Sequence, residues 1–132
     1  KILEAVAAGQ CDVALTNSYY LGRLQDKDPN FPVRPFWANQ ATTGTHVNVS
    51  GAGVTAHAKN RANAIKFLEF LTGQEAQSLF VENNFEYPVH PQAKVNAVLA
   101  RWGTFKQDDI NVAAAGELQA AATKLADRAG YK

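Results

Sequence analysis

The chain has 132 residues, 46% of them hydrophobic, and 13 Lys and Arg against 12 Asp and Glu give a formal net charge of +1. Such a composition carries a packed core and excludes a disordered, highly charged tail. The lone cysteine, Cys11, excludes an internal disulfide framework, and balanced charge without a Lys/Arg run disfavours a nucleic-acid-binding protein.

Residues 1–9 place Ile2, Leu3 and Val6 at helical spacing and end on Gly9, a helix-stopping residue. No N-cap precedes the first apolar residue, so this reads as the second half of a helix, and the chain is expected to be a piece of a longer protein. Residues 11–16 form a short apolar run of β type, expected as a buried strand of an α/β sheet, with Cys11 a packed thiol. Asn17 or Ser18 offers an N-cap for a short helix beginning at Tyr19 and reaching Gln25. A polar turn over 26–30 leads to a strand over 31–37, which Pro32 and Pro35 confine to an edge or make irregular. A loop of small residues follows over 39–45.

Residues 46–50 alternate and read as a strand, closed by a glycine turn at Gly51 and Gly53. Asn60 is placed to cap a helix over 61–71 with Ala64, Phe67, Leu68 and Leu71 on one stripe. Thr72 and Glu75 have the spacing of a capping box, opening a helix to Asn83 with Ala76, Leu79 and Phe80 inside. Residues 87–89 read as extended and 93–102 as a short helix. The longest helix is expected over 116–129, with Leu118, Ala121, Ala122 and Leu125 as its buried seam and Gly130 as its stop. No run approaches the roughly 18 apolar residues of a membrane span.

Chemistry concentrates at Tyr19 and Tyr20, where a short strand is expected to turn into a helix, the place where ligands gather in open α/β folds. Adjacent helical residues point about 100° apart, so one apolar stripe does not readily bury both rings. Two phenol arms on neighbouring Cα atoms, about 3.8 Å apart, can still converge beyond the helix start. A phenol ionises near pH ~10, and a strongly charged cation lowers that value for its ligands. Hard oxygen donors suit hard cations, of which Fe3+ is an extreme. The competing reading is ordinary packing, with one ring in the core and the other at the surface. His46, His57 and His90 are spaced too widely for a local metal motif and read as surface or strand-end residues. No carboxylate pair, nucleophile elbow or phosphate-binding glycine loop is present, so no catalytic constellation is visible.

Three stretches carry a family resemblance: the run from Asp12 to Leu24 with Asn17, Tyr19, Tyr20 and Gly22; the run from Val47 to Val54; and residues 64–71 continuing to 86–89. Read together, they make the chain resemble the ferric-ion-binding periplasmic proteins of bacterial iron ABC transporters, and residues 127–132 are similar to a cyanobacterial-type branch. The resemblance implies an α/β fold, part of a two-lobed periplasmic solute-binding (type II, transferrin-lobe-like) architecture of about twice this length. It implies that residues 1–45 belong to the C-terminal lobe, 46–50 cross the hinge, 51–100 pack on the N-terminal lobe, and 101–132 return to the C-terminal lobe.

By the same resemblance, Tyr19 and Tyr20 match paired phenolate ligands of Fe3+, and Asn17 matches a position that binds a synergistic anion (carbonate, phosphate or citrate). The other ligands, a His, Glu or further Tyr, would lie in the N-terminal half of the same protein. The implied role is binding rather than catalysis: capture of Fe3+ in the periplasm and delivery to an ABC permease, without nucleic acid and without membrane insertion. Two alternatives stay open on the residues alone. One is a solute-binding protein for an organic ligand or oxyanion, with the tyrosines stacking or donating hydrogen bonds. The other is an interaction module or enzyme accessory domain that binds no metal and in which the tyrosines are packing residues.

Overall fold

A computed structural model describes residues 1–131. Lys132, the last residue of the segment expected over 101–132, lies outside the described residues. The helices are α1 (Ile2–Ala7), α2 (Ser18–Lys27), α3 (Arg61–Thr72), α4 (Gln74–Asn84), α5 (Ala97–Ala100) and α6 (Ala113–Arg128). The chain divides into two compact units, one made of Lys1–Phe36 and Asn48–Thr104, the other of Trp37–Val47 and Phe105–Lys132. One crossing between them, from Val47 to Asn48, falls within 46–50. These units follow contacts within this chain, a different division from lobes defined by the cleft of a longer protein.

The first unit is built around α2. Its residues Leu21 and Leu24 join Leu3, Val33 and Phe31 in one apolar cluster. Tyr19, on the same helix, packs against a second cluster of Val81, Phe85, Val98 and Leu99. Trp102 touches both clusters. The Gln25, Gln77 and Asn96 side chains that enter this core are hydrogen-bonded, as burial demands. The Gln25 amide donates to the Val33 carbonyl at 2.8 Å and accepts from the Trp102 indole at 2.7 Å. Gln77 donates to the Leu71 carbonyl at 2.7 Å and accepts from the Val89 amide at 2.9 Å. Asn96 caps α5 by accepting from the Leu99 amide at 3.0 Å and ties it to α4 by donating to the Val81 carbonyl at 2.9 Å.

In the second unit a parallel bridge joins Thr45 to Gln107, with the Thr45 amide donating to the Lys106 carbonyl at 2.8 Å. Gln40 clips the same place: its amide donates to the Lys106 carbonyl at 2.9 Å and accepts from the Lys106 amide at 2.7 Å. The Trp37 and Phe105 rings stack with centroids 4.3 Å apart. Gly44 has φ +100°, and a Cβ there would lie 2.5 Å from the Gln107 carbonyl oxygen, so only glycine fits.

Several expectations change. The strands expected over 11–16, 31–37 and 46–50 form no ladder among the described residues; a strand needs a neighbour for its backbone groups, and these residues offer them none. Val13 and Leu15 are accordingly 84% and 88% exposed, and Cys11 is exposed rather than packed. The capping box does not form. Thr72 is the last residue of α3, its hydroxyl donates back to the Glu69 carbonyl at 2.9 Å, and Gly73 occupies the N-cap of α4. On α4, Gln77 and Val81 are buried with Ala76, while Leu79 is exposed. The stripe on α3 holds for half-buried Ala64, Leu68 and Leu71 but not for exposed Phe67. The short helix expected over 93–102 shrinks to α5, and the seam of α6 buries none of its residues, with Leu118 and Leu125 exposed.

Candidate functional site

The structure brings Asn17, Tyr19 and Tyr20 together at the start of α2. Asn17 occupies the N-cap with extended backbone, φ −72° and ψ 138°, and Ser18 opens the helix. Helical geometry then points the two phenol arms along different bearings. Tyr19 leans inward on the cluster of Val81, Phe85, Val98 and Leu99, while Tyr20 is 48% exposed. This matches the ordinary-packing alternative in part, one ring against the core and one at the surface. The two rings nevertheless stay paired. The ring centroids lie 4.5 Å apart with planes tilted by 48°. A hydrogen bond with the Tyr19 hydroxyl, followed by repulsion from its charge, holds the Tyr20 phenol above its usual value. The Asn17 amide donates to the Tyr19 hydroxyl at 3.0 Å.

Two neighbours on α2 complete the arrangement. The Arg23 guanidinium lies 5.5 Å over the Tyr19 ring, a cation–π distance, and draws the Tyr20 phenol downward against the pull of Tyr19. Gly22 faces Phe85 so closely that a Cβ on it would stand 2.6 Å from the Phe85 Cβ. The missing side chain lets α2 settle on the core that seats Tyr19. Beside Tyr20, an open depression of about 380 Å3 runs between α1 and α2, with Thr16, Arg23, Leu24 and Lys27 in its walls.

The sequence reading passed over Arg23. Its signal was available: four residues beyond Tyr19 and three beyond Tyr20, it lies on the face that a helix starting at Ser18 gives them. His46 and His57 are exposed, and the half-buried His90 accepts from the Gln92 amide at 3.3 Å through Nδ1. Among the described residues no group of three or more His, Cys, Asp or Glu side chains could hold a metal. The oxygen-rich chemistry of this chain is therefore phenolic: two phenol oxygens that can become anionic donors, an amide and a guanidinium. Such a set can bind a hard cation or donate hydrogen bonds to an anion. No helix of the described residues is long and apolar enough to cross a membrane.

Residues 2–78 match the model of the family described as bacterial extracellular solute-binding protein. Iron uptake protein A1 of Synechocystis sp. is 43% identical over 98% of this chain, which spans only 38% of that protein. A Trichodesmium protein solved in complex with iron and citrate ligands superposes with a TM-score of 0.91 at 48% identity, covering 98% of this chain and 43% of that one. The ferric binding protein from Campylobacter jejuni superposes with a TM-score of 0.88 at 32% identity, covering 98% of this chain and 43% of its own. The fold class is that of these structures: α/β, part of the two-lobed type II solute-binding architecture, even though this portion is mostly helical. The match over more than half of its length makes the chain a member of the bacterial extracellular solute-binding protein family.

Proposed function

We propose that the protein containing this chain captures Fe3+ in the periplasm and hands it to an ABC permease, with Tyr19 and Tyr20 as phenolate ligands. The observation that carries this reading is the close pairing of two adjacent tyrosine rings at the start of α2, beside a guanidinium that favours the ionised form of Tyr20. The names of its relatives support the cargo: an iron uptake protein, a ferric binding protein, and a structure holding iron and citrate. The role is transport rather than catalysis. A trivalent ion would ionise both phenols as it binds, because its charge stabilises the anions more than the lost protons did.

Two phenolates leave most of a six-coordinate ion open to water. The remaining ligands would come from the N-terminal half of the protein, and hinge closure would exclude that water and give the permease a loaded shape to recognise. The lobe assignment of 1–45, 46–50, 51–100 and 101–132 belongs to this proposal. The packing of α2 on α4 and α5 would then lie where the lobes adjoin. Asn17 is proposed to reach a synergistic anion (carbonate, phosphate or citrate) on the open side of the ion. Protonation of the phenolates, or reduction to Fe2+, would loosen the ion for release.

Colour tests the reading. The intact protein loaded with Fe3+ should absorb visible light through ferric–phenolate charge transfer. Tyr19→Phe or Tyr20→Phe should weaken the band and cut affinity more than the ~10–100-fold typical of an outer-shell partner, with the fold retained. A colourless iron complex, or unchanged affinity in both variants, would point instead to tyrosines that stack on or hydrogen-bond an organic solute.

A further inference from the structure

Resting on that reading, we propose that Asn17 is a positioning residue whose side-chain amide fixes the Tyr19 phenol oxygen where it meets the ion. An Asn at a helix N-cap ordinarily turns its side chain onto the free amides of the first turn. Asn17 has the backbone of an N-cap yet makes no such bond. Its Nδ2 donates to the Tyr19 hydroxyl at 3.0 Å instead. The helix start thus gives up its own cap, and the recipient is the phenol.

The geometry is economical. Packing against Val81, Phe85, Val98 and Leu99 fixes the Tyr19 ring, and the Asn17 amide fixes its oxygen. Tyr20 has no comparable hold from the core and is 48% exposed. Tyr19 is therefore the placed donor and Tyr20 the adaptable one. A phenolate oxygen can accept an N–H and still ligate an ion, so the bond can persist when iron binds. A primary amide carries two N–H groups. One is engaged by Tyr19, and the side chain makes no other hydrogen bond among the described residues.

The test uses the intact protein with Asn17→Ser and Asn17→Asp. Ser keeps a good N-cap and a neutral charge but is too short to reach the phenol; Asp keeps the shape and the cap but has no N–H to give. Fe3+ is supplied as its nitrilotriacetate complex without citrate or carbonate, and separately with citrate. Both variants should retain their helical circular dichroism, shift the visible band, and bind iron about 10-fold more weakly under both conditions. In a Tyr19→Phe background, Asn17→Ser should move the band no further. An unchanged band with a loss confined to citrate would make Asn17 an anion holder only and overturn the proposal, as would no effect at all. Absence of any visible band in the unmodified protein would instead defeat the tyrosine-ligand reading, and this inference with it.

Discussion

Tyr20 gives up its proton reluctantly, because the Tyr19 hydroxyl hydrogen-bonds to it and the Tyr19 charge repels its anion. Iron must displace that proton, so loading should strengthen as pH rises. With two phenols ionising, log affinity climbs by up to about two per pH unit below the phenol range. Arg23 opposes Tyr19 by favouring the Tyr20 anion. Replacing it in Arg23→Gln should therefore shift the loading curve, followed by visible absorbance, to higher pH. Tyr87 behaves differently. Burial pushes its phenol up from 10.0 to about 12. The unfolded chain then loses this proton first, so folding stability is intact below pH 10 and falls as pH rises towards 12. Urea unfolding across that interval should show a shallower loss in Tyr87→Phe. The tyrosine pair was legible because adjacency in sequence enforces adjacency in space. The turn of Asn17 towards a phenol was not, because an N-cap residue has two polar targets and sequence does not choose between them.

The element that matters most is α2, and its seat depends on Gly22. A methyl group there would stand 2.6 Å from the Phe85 Cβ and 2.9 Å from its Cγ. Phe85 has little freedom to retreat: it is buried and ends α4 in the left-handed region at φ +59°. Gly22→Ala should cost about 1–3 kcal/mol of stability through overpacking. It should also weaken iron binding, since the helix that carries both phenols must shift. In a Phe85→Gly background, which removes the Cβ as well as the ring, the added cost of Gly22→Ala should shrink, a coupling that a double-mutant cycle in denaturant would measure. The sequence located α2, α3 and α4 closely, because apolar period and N-cap residues are local properties. It misplaced the start of α4 because Thr72 and Glu75 have the spacing of a capping box while the Thr72 hydroxyl turns back into α3. It also overestimated the seam of α6, whose leucines meet nothing within their own unit that buries them.

Taken whole, the chain exposes apolar residues that a sheet would ordinarily cover, among them Val13, Leu15 and Phe36. It spans 38% of the Synechocystis relative and 43% of the Trichodesmium structure it matches. In a chain of the relatives' full length these residues should gain partners. Cys11, exposed at the start of the 11–16 run, should react rapidly with a thiol reagent in the 132-residue chain and more slowly in one extended to that length. Equal rates would mean that the run at 11–16 stays uncovered.

Sequence by itself determined the helical segments of α2, α3 and α4, the pairing of Tyr19 with Tyr20, and the family resemblance, because period, adjacency and motif are all written along the chain. Tertiary structure decided which way Asn17 turns, that Arg23 faces the phenols, and why Gly22 must lack a side chain. Each of these depends on a neighbour that only folding supplies: the Tyr19 oxygen swung back over the N-cap, the ring beneath the guanidinium, and the Phe85 side chain brought up from α4. The strands are the converse case. Their apolar runs are plain in the sequence, but a strand exists only when another strand satisfies its backbone, and among the described residues only Thr45 and Gln107 find each other.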